Sequence, residues 1–160
     1  MKKSLVTGII GFVLGVVIAF GVIYKAAPGM MLLENESQYA SFEETVTKFE
    51  QSVKDHEWKI PATHDLQKTM AKYGKDVKKV KVFELCHPDH AGKILLESEE
   101  RIVSSLMPCR VAIYEKHDGK VYISRMNSGM MASTMEGVIP EVMDEAAKQN
   151  EEILEAVIKN

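Results

Sequence analysis

Two regimes of hydrophobic patterning divide the chain. From Leu5 to Tyr24 no residue carries a charge. As a helix rising about 1.5 Å per residue, such a run spans roughly the 30 Å of a bilayer's hydrocarbon. Lys2, Lys3 and the α-amine precede it, and only Lys25 follows before an acidic stretch begins. The positive-inside bias therefore predicts an N-terminal transmembrane signal-anchor over residues 1–25, with the N-terminus in the cytoplasm. The remainder, 26–160, is expected beyond a bacterial-type inner membrane, in the periplasm or outside. A cleaved signal peptide is the competing reading. Its apolar core usually runs about 7–15 residues to a small-x-small site, whereas Tyr24 and Lys25 hold the positions that such a site needs small ahead of Ala26 and Ala27. Gly11 and Gly15 form a GxxxG, which permits close approach of two such helices and leaves a homo-oligomer open.

Beyond Met30 the pattern is that of a mixed globular domain. Met30–Glu36, apolar then polar, predicts a first strand. Ser41 with Glu44 three positions on is a capping-box signature, and Phe42, Val46, Phe49 and Val53 recur on one helical face. Trp58–His64 reads as an extended segment that lies at a sheet edge or ends at Pro61, which cannot donate to a ladder. Asp65 predicts the cap of a short helix with Leu66, Met70 and Tyr73 on one side and Gly74 as its stop. Lys78–Cys86 alternates as a strand, and Pro88 suits the first position of a helix through Ala91, Ile94 and Leu95. Arg110–Arg125 predicts a hairpin about His117-Asp118-Gly119, with Asp-Gly as its two-residue turn. A short Met-rich turn of helix follows over Ser128–Gly137. From Pro140 to about Lys159 a last helix carries Val142, Ala146, Ile153 and Val157 in one stripe that Asn150 interrupts. The order predicts an α+β fold: a mostly antiparallel sheet of four to five strands with helices packed on one face, plus the transmembrane helix.

Charge narrows the partners. All 23 acidic residues and all but three of the 20 basic ones follow Lys25, so the domain is more acidic than the chain's net charge of −3. That balance disfavours nucleic acid, whose binding is driven by Lys and Arg. The expected partners are the membrane and either a small-molecule ligand or another protein.

The segments VFELCHPDHAGKILL and SSLMPCRVAIYEKHDGKVYISRMN, with the earlier THDL, resemble the family known as domain of unknown function 302. The resemblance runs over about Met30 to Met143. It implies a compact α+β fold with the two cysteine segments near one another, and no established activity. His87 stands where the family favours Asn.

Candidate chemistry gathers between Phe83 and Met135. Cys86 ends one predicted strand and Cys109 begins another. As a disulfide they would stabilise the fold by about 3 kcal/mol in the chain-entropy account. As buried free thiols they would pack as small hydrophobes, and at a helix N-terminus Cys86 could be a reactive or ligating thiol. Cys86, His90 and Cys109, with His64, could supply a mixed sulfur and nitrogen metal site. Against it, no CxxC, HExxH or CxxCH spacing is present, and histidines in an exposed turn are the preferred reading. Met126, Met130, Met131 and Met135 are filler of irregular gaps or the lining of an adaptable hydrophobic groove. As soft ligands Met126 and Met130 also keep copper or haem as an alternative, although no cofactor is the first expectation. Arg110 and Arg125 could together hold a carboxylate or phosphate, unless Arg125 merely pairs with a neighbour such as Glu115. No catalytic signature is complete, with neither a GxSxG elbow nor a Gly-rich phosphate loop. The expected function is a tethered ligand-binding or interaction module, with a pocket near Cys86, Cys109 and Met126–Met135. The alternatives are a thiol redox protein and a soft-metal or haem carrier.

Overall fold

The computed structural model describes residues 2–132 and 135–159, including their side chains except at 2–10, 23 and 25–28. The chain divides into two units after Met31. The first is a single helix, α1 (Lys2–Met31), which runs on past Lys25 so that the first strand begins at Leu32 and not at Met30. Among the described residues no helix is long and apolar enough to cross a membrane. The expected span Leu5–Tyr24 lies within α1, with the side chains of 5–10 and 23 outside the described ones.

The second unit carries five strands: β1 (Leu32–Glu36), β2 (Thr63–Asp65), β3 (Val80–Leu85), β4 (Cys109–Glu115) and β5 (Val121–Met126). They form one sheet in the order β1-β5-β4-β3-β2, antiparallel throughout. Between them stand α2 (Phe42–Asp55), α3 (Leu66–Ala71) and α4 (Pro88–Leu95). A 3-10 helix (Glu99–Leu106) precedes β4, and α5 (Ser128–Ala132) and α6 (Ile139–Glu155) follow β5. The α+β expectation holds, with the 3-10 helix as an addition.

Side-chain alternation sorts the sheet into two unlike faces. Phe83, Leu85, Val111, Ile113, Val121 and Ile123 point one way and form the main core with Phe42, Phe49 and Val53 of α2 and Ile153 and Leu154 of α6. Phe49 and Phe83 meet edge to face with ring centroids 5.1 Å apart. Val82, Ala112, Tyr114, Tyr122 and Ser124 take the other face, and all five are half-buried. A smaller core joins Ile94, Val103, Ala132, Ile139, Val142 and Met143 beside α4, α5 and α6.

Several local details differ from expectation. Ser41 Oγ does accept from Glu44 N at 3.3 Å, but its own proton goes to Glu43, so the capping box is half formed. Helix α3 is capped by Asp65 yet buries nothing, and Tyr73 is exposed. Its three apolar residues are too few to bury a face. The hairpin turn has three residues, because Lys116 and Lys120 pair across His117–Gly119 while Gly119 N returns to Lys116 O. Gly119 sits at φ +79, which only glycine adopts at little cost. Helix α6 stops at Glu155, and Ile158 instead bridges to Ser37 as extended chain.

The aromatic pair at the centre of the core sets the first prediction. Phe83→Ala is expected to cost about 3–5 kcal/mol by denaturant unfolding, whereas Leu96→Ala, at an exposed position, should stay within about 0.5 kcal/mol. Equal effects of the two would refute this core assignment.

Candidate functional site

The antiparallel register brings distant pieces of sequence to one end of the sheet. Val111 faces Arg125 across β4 and β5, and Arg125 in turn faces Leu33 across β5 and β1. The first residues of β4 and β1 and the last of β5 therefore lie side by side. The end of the 3-10 helix, α5 and α6 stand around this end and leave a cavity of about 750 Å³ between them. Met107, Met126, Met130, Met131, Met135 and Met143 line it, with Leu32, Val103 and Ile139 adding further apolar wall. Met126 is 42% exposed, which places it toward the mouth, whereas Met143 is buried in the smaller core. Unbranched thioether side chains adapt to occupants of varied shape at small cost.

Charged groups at this end are largely committed to one another. The Arg125 side chain is 9% exposed, despite its place at a strand end. Its Nε donates to Glu151 at 2.9 Å, its Nη2 to the same carboxylate, and its Nη1 to Asn35 Oδ1 at 2.5 Å. The partner is thus Glu151 of α6 and not Glu115, which instead meets Lys79 on the neighbouring side of the sheet. Lys148 pairs with Asp144 at 2.7 Å. Arg110 also lines the cavity, but its side chain is 67% exposed and lies 3.6 Å from Glu84. Both arginines do reach the same opening, and only Arg110 keeps its guanidinium mostly in solvent.

Deeper in, Cys109 and Asn150 line the cavity together. Burial pushes the Cys109 thiol above its ordinary pKa. A hydrogen bond with the Asn150 side chain pulls the other way, and the nearby Cys86 thiol adds to the rise. Both cysteines are free and half-buried. Cys109 faces Leu85 in the register, so Cys86 is one residue beyond that pair and the two sit on neighbouring elements. Cys86 does not line the cavity. Its backbone instead pairs with Lys59 in both directions, at 3.0 and 2.9 Å.

The histidines separate into two places. His64 lies toward the sheet's open face on β2, 3.0 Å from Glu84, the carboxylate that Arg110 also approaches. His90 is buried at the start of α4, where its Nε2 contacts Gln149 Oε1 at 3.0 Å. The same oxygen accepts from Trp58 Nε1 at 3.0 Å. The His87 and His90 rings are 4.6 Å apart, and both meet the Trp58 ring. Among the described residues no group of three or more His, Cys, Asp or Glu is placed to hold a metal ion. The set Cys86, His90, Cys109 and His64 is divided between the sheet's open face and the α4–α6 side. Met126 and Met130 line the cavity away from both histidines.

Three buried side-chain atoms have no hydrogen-bond partner among the described residues: Nδ1 of His87, Nδ1 of His90 and Oδ1 of Asn150. The sequence reading missed Asn150, Glu151, Glu84 and the Trp58–Gln149 pair as parts of a site. Asn150 left a signal, since it breaks the apolar stripe of α6. Glu84 and Glu151 left none, because a carboxylate on a strand or helix reads as a solvated face.

The fold has a counterpart among solved structures. The crystal structure of an uncharacterized conserved protein DUF302 from Bacillus stearothermophilus aligns with a TM-score of 0.70 at 19% identity, covering 79% of this chain and 98% of that one. At that identity the likeness is one of fold. No match is found among curated proteins. The family described as domain of unknown function DUF302 matches residues 33–159, nearly the whole of the second unit. With the strand order and the paired cysteine segments already in place, this chain belongs to the DUF302 family.

Proposed function

We propose that this protein is a binding module, tethered at the outer face of a bacterial-type inner membrane, whose cavity takes an apolar small molecule. The observation that carries the binding role is the cavity wall: six of the ten methionines line one opening of about 750 Å³, a size suited to a small ligand. Soft, adaptable walls next to a few fixed polar groups are the usual composition of such pockets. The tether rests on the uncharged run Leu5–Tyr24 and on the flanking lysines. Exposed Phe12, Val17 and Phe20 on the described part of α1 support it.

A thiol redox role is the second reading, favoured by Cys86 and Cys109 standing at neighbouring strand ends. The direction of the Cys109 shift weighs against it. A redox-active cysteine needs thiolate at neutral pH, and burial here favours the thiol.

Three experiments follow. N-phenylnaphthylamine, whose fluorescence rises in apolar surroundings, should bind the full chain in mild detergent. Met126→Asp should weaken it at least about tenfold by forcing a charge against the bound molecule, with stability changed by less than about 0.5 kcal/mol because the position is exposed. Unchanged affinity in that variant would remove the cavity as the binding place. In cells, the full chain should stay with membranes through carbonate extraction, and a chain beginning at Met30 should not. A mature protein whose mass begins after Ala27 would replace the tether with a cleaved leader. For the thiols, Cys109 in the Cys86→Ser variant should alkylate more slowly at pH 7 than a free cysteine, and faster as pH rises toward its elevated pKa. Rapid labelling at pH 7 would restore the redox reading.

A further inference from the structure

The cavity is not wholly apolar, and an unsatisfied polar atom on one of its lining residues narrows what it can hold. Asn150 belongs to α6, is 7% exposed, and lines the cavity beside Cys109. Its amide is engaged with the Cys109 thiol, while its Oδ1 has no partner among the described residues. A buried carbonyl oxygen left unpaired costs stability, so such an atom is usually met by water or by a ligand. Oδ1 is an acceptor only. Whatever completes it must therefore donate an N–H or O–H.

The charged groups restrict the ligand from the other side. Arg125 is ion-paired with Glu151 and also donates to Asn35, and Lys148 is paired with Asp144. Arg110 stands largely in solvent beside Glu84. Among the described residues each cation that lines the cavity already faces a carboxylate of the protein, so an anionic headgroup would compete with that carboxylate or be buried without compensation, which is costly. We infer that the cavity selects uncharged apolar molecules bearing a single N–H or O–H donor, which hydrogen-bonds to Asn150 Oδ1 while the methionines enclose the apolar body.

This inference rests on the binding role proposed above, and the test separates the two. The probes are N-phenylnaphthylamine, which has one N–H, its N-methyl derivative, which has none, and anilinonaphthalene sulfonate, which keeps the N–H and adds an anion. On the full chain the N–H probe should bind at least about tenfold more tightly than its N-methyl derivative, the cost of leaving a buried acceptor unmatched or of displacing its water without replacement. It should also bind more tightly than the sulfonate. Asn150→Leu, close in shape, should bring the N–H probe and its N-methyl derivative to within about twofold of each other. The wild-type comparison stands even if that variant does not fold. Equal affinity of the N–H and N-methyl probes would mean that water serves Oδ1 in the complex, and would overturn the inference while leaving the cavity as a binding place. Tighter binding of the sulfonate would overturn it by showing that charge is recognised. Failure of all three probes to bind would overturn the binding role itself.

Discussion

The register of β3, β4 and β5 is the constraint on which the rest depends. Alternation puts every second residue on one face, so a slip of one residue in β4 would carry Val111 and Ile113 into solvent and Arg110 and Ala112 into the core. The pairs Phe83 with Val111 and Ile113 with Ile123 hold that register against α2 and α6. The same register puts Cys109 opposite Leu85 and Arg125 opposite Val111. Core and cavity are consequently one arrangement: the strand ends that finish the core rows, with Val111, Arg125 and Met126, also line the opening.

Arg125 shows how that boundary is managed. It falls on the core-facing side of β5, where alternation calls for an apolar residue. A buried guanidinium is tolerated when its donors are matched, and here Glu151 takes two and Asn35 one. The arrangement ties β1, β5 and α6 at one point. It holds an edge strand of only five residues to the sheet, together with Lys116 and Lys120, which reach Glu34 and Glu36. The price is rigidity: Arg125, itself buried, cannot leave Glu151 for a ligand without giving up its counter-charge and freeing an edge.

Periodicity made most of the fold legible. The stripe Phe42, Val46, Phe49 and Val53 placed α2, and the alternation around Phe83 and through Arg110–Arg125 placed the three central strands. The family resemblance brought Cys86 and Cys109 together. What stayed hidden depended on contacts between distant elements. The 3-10 helix Glu99–Leu106 has only Val103 buried, too little pattern to announce itself. In α3 the apolar spacing was present without a surface to cover. The methionines from Met126 to Met135 could be read as a groove, but Met107 and Met143 join them only through the fold. Glu151 could not be matched to Arg125 because nothing in sequence spacing measures the distance between β5 and α6.

Asn150 carries the argument one step further. A helix stripe that runs Val142, Ala146 and Ile153 gains from an apolar residue at every inward position, and Asn150 forgoes that gain. Its amide half is used on the Cys109 thiol, which accounts for one end of the side chain only. A leucine there would fill similar space and avoid an unpaired oxygen, so packing alone gives no reason for the amide. The residue becomes intelligible when α6 is seen as having two neighbours along one face: the sheet, which wants hydrocarbon, and the methionine-lined cavity, where a fixed acceptor would orient an otherwise featureless apolar guest. In the proposed binding role adaptable walls would confer tolerance of shape and a buried acceptor selectivity, and α6 supplies both kinds of lining residue, Met143 and Asn150.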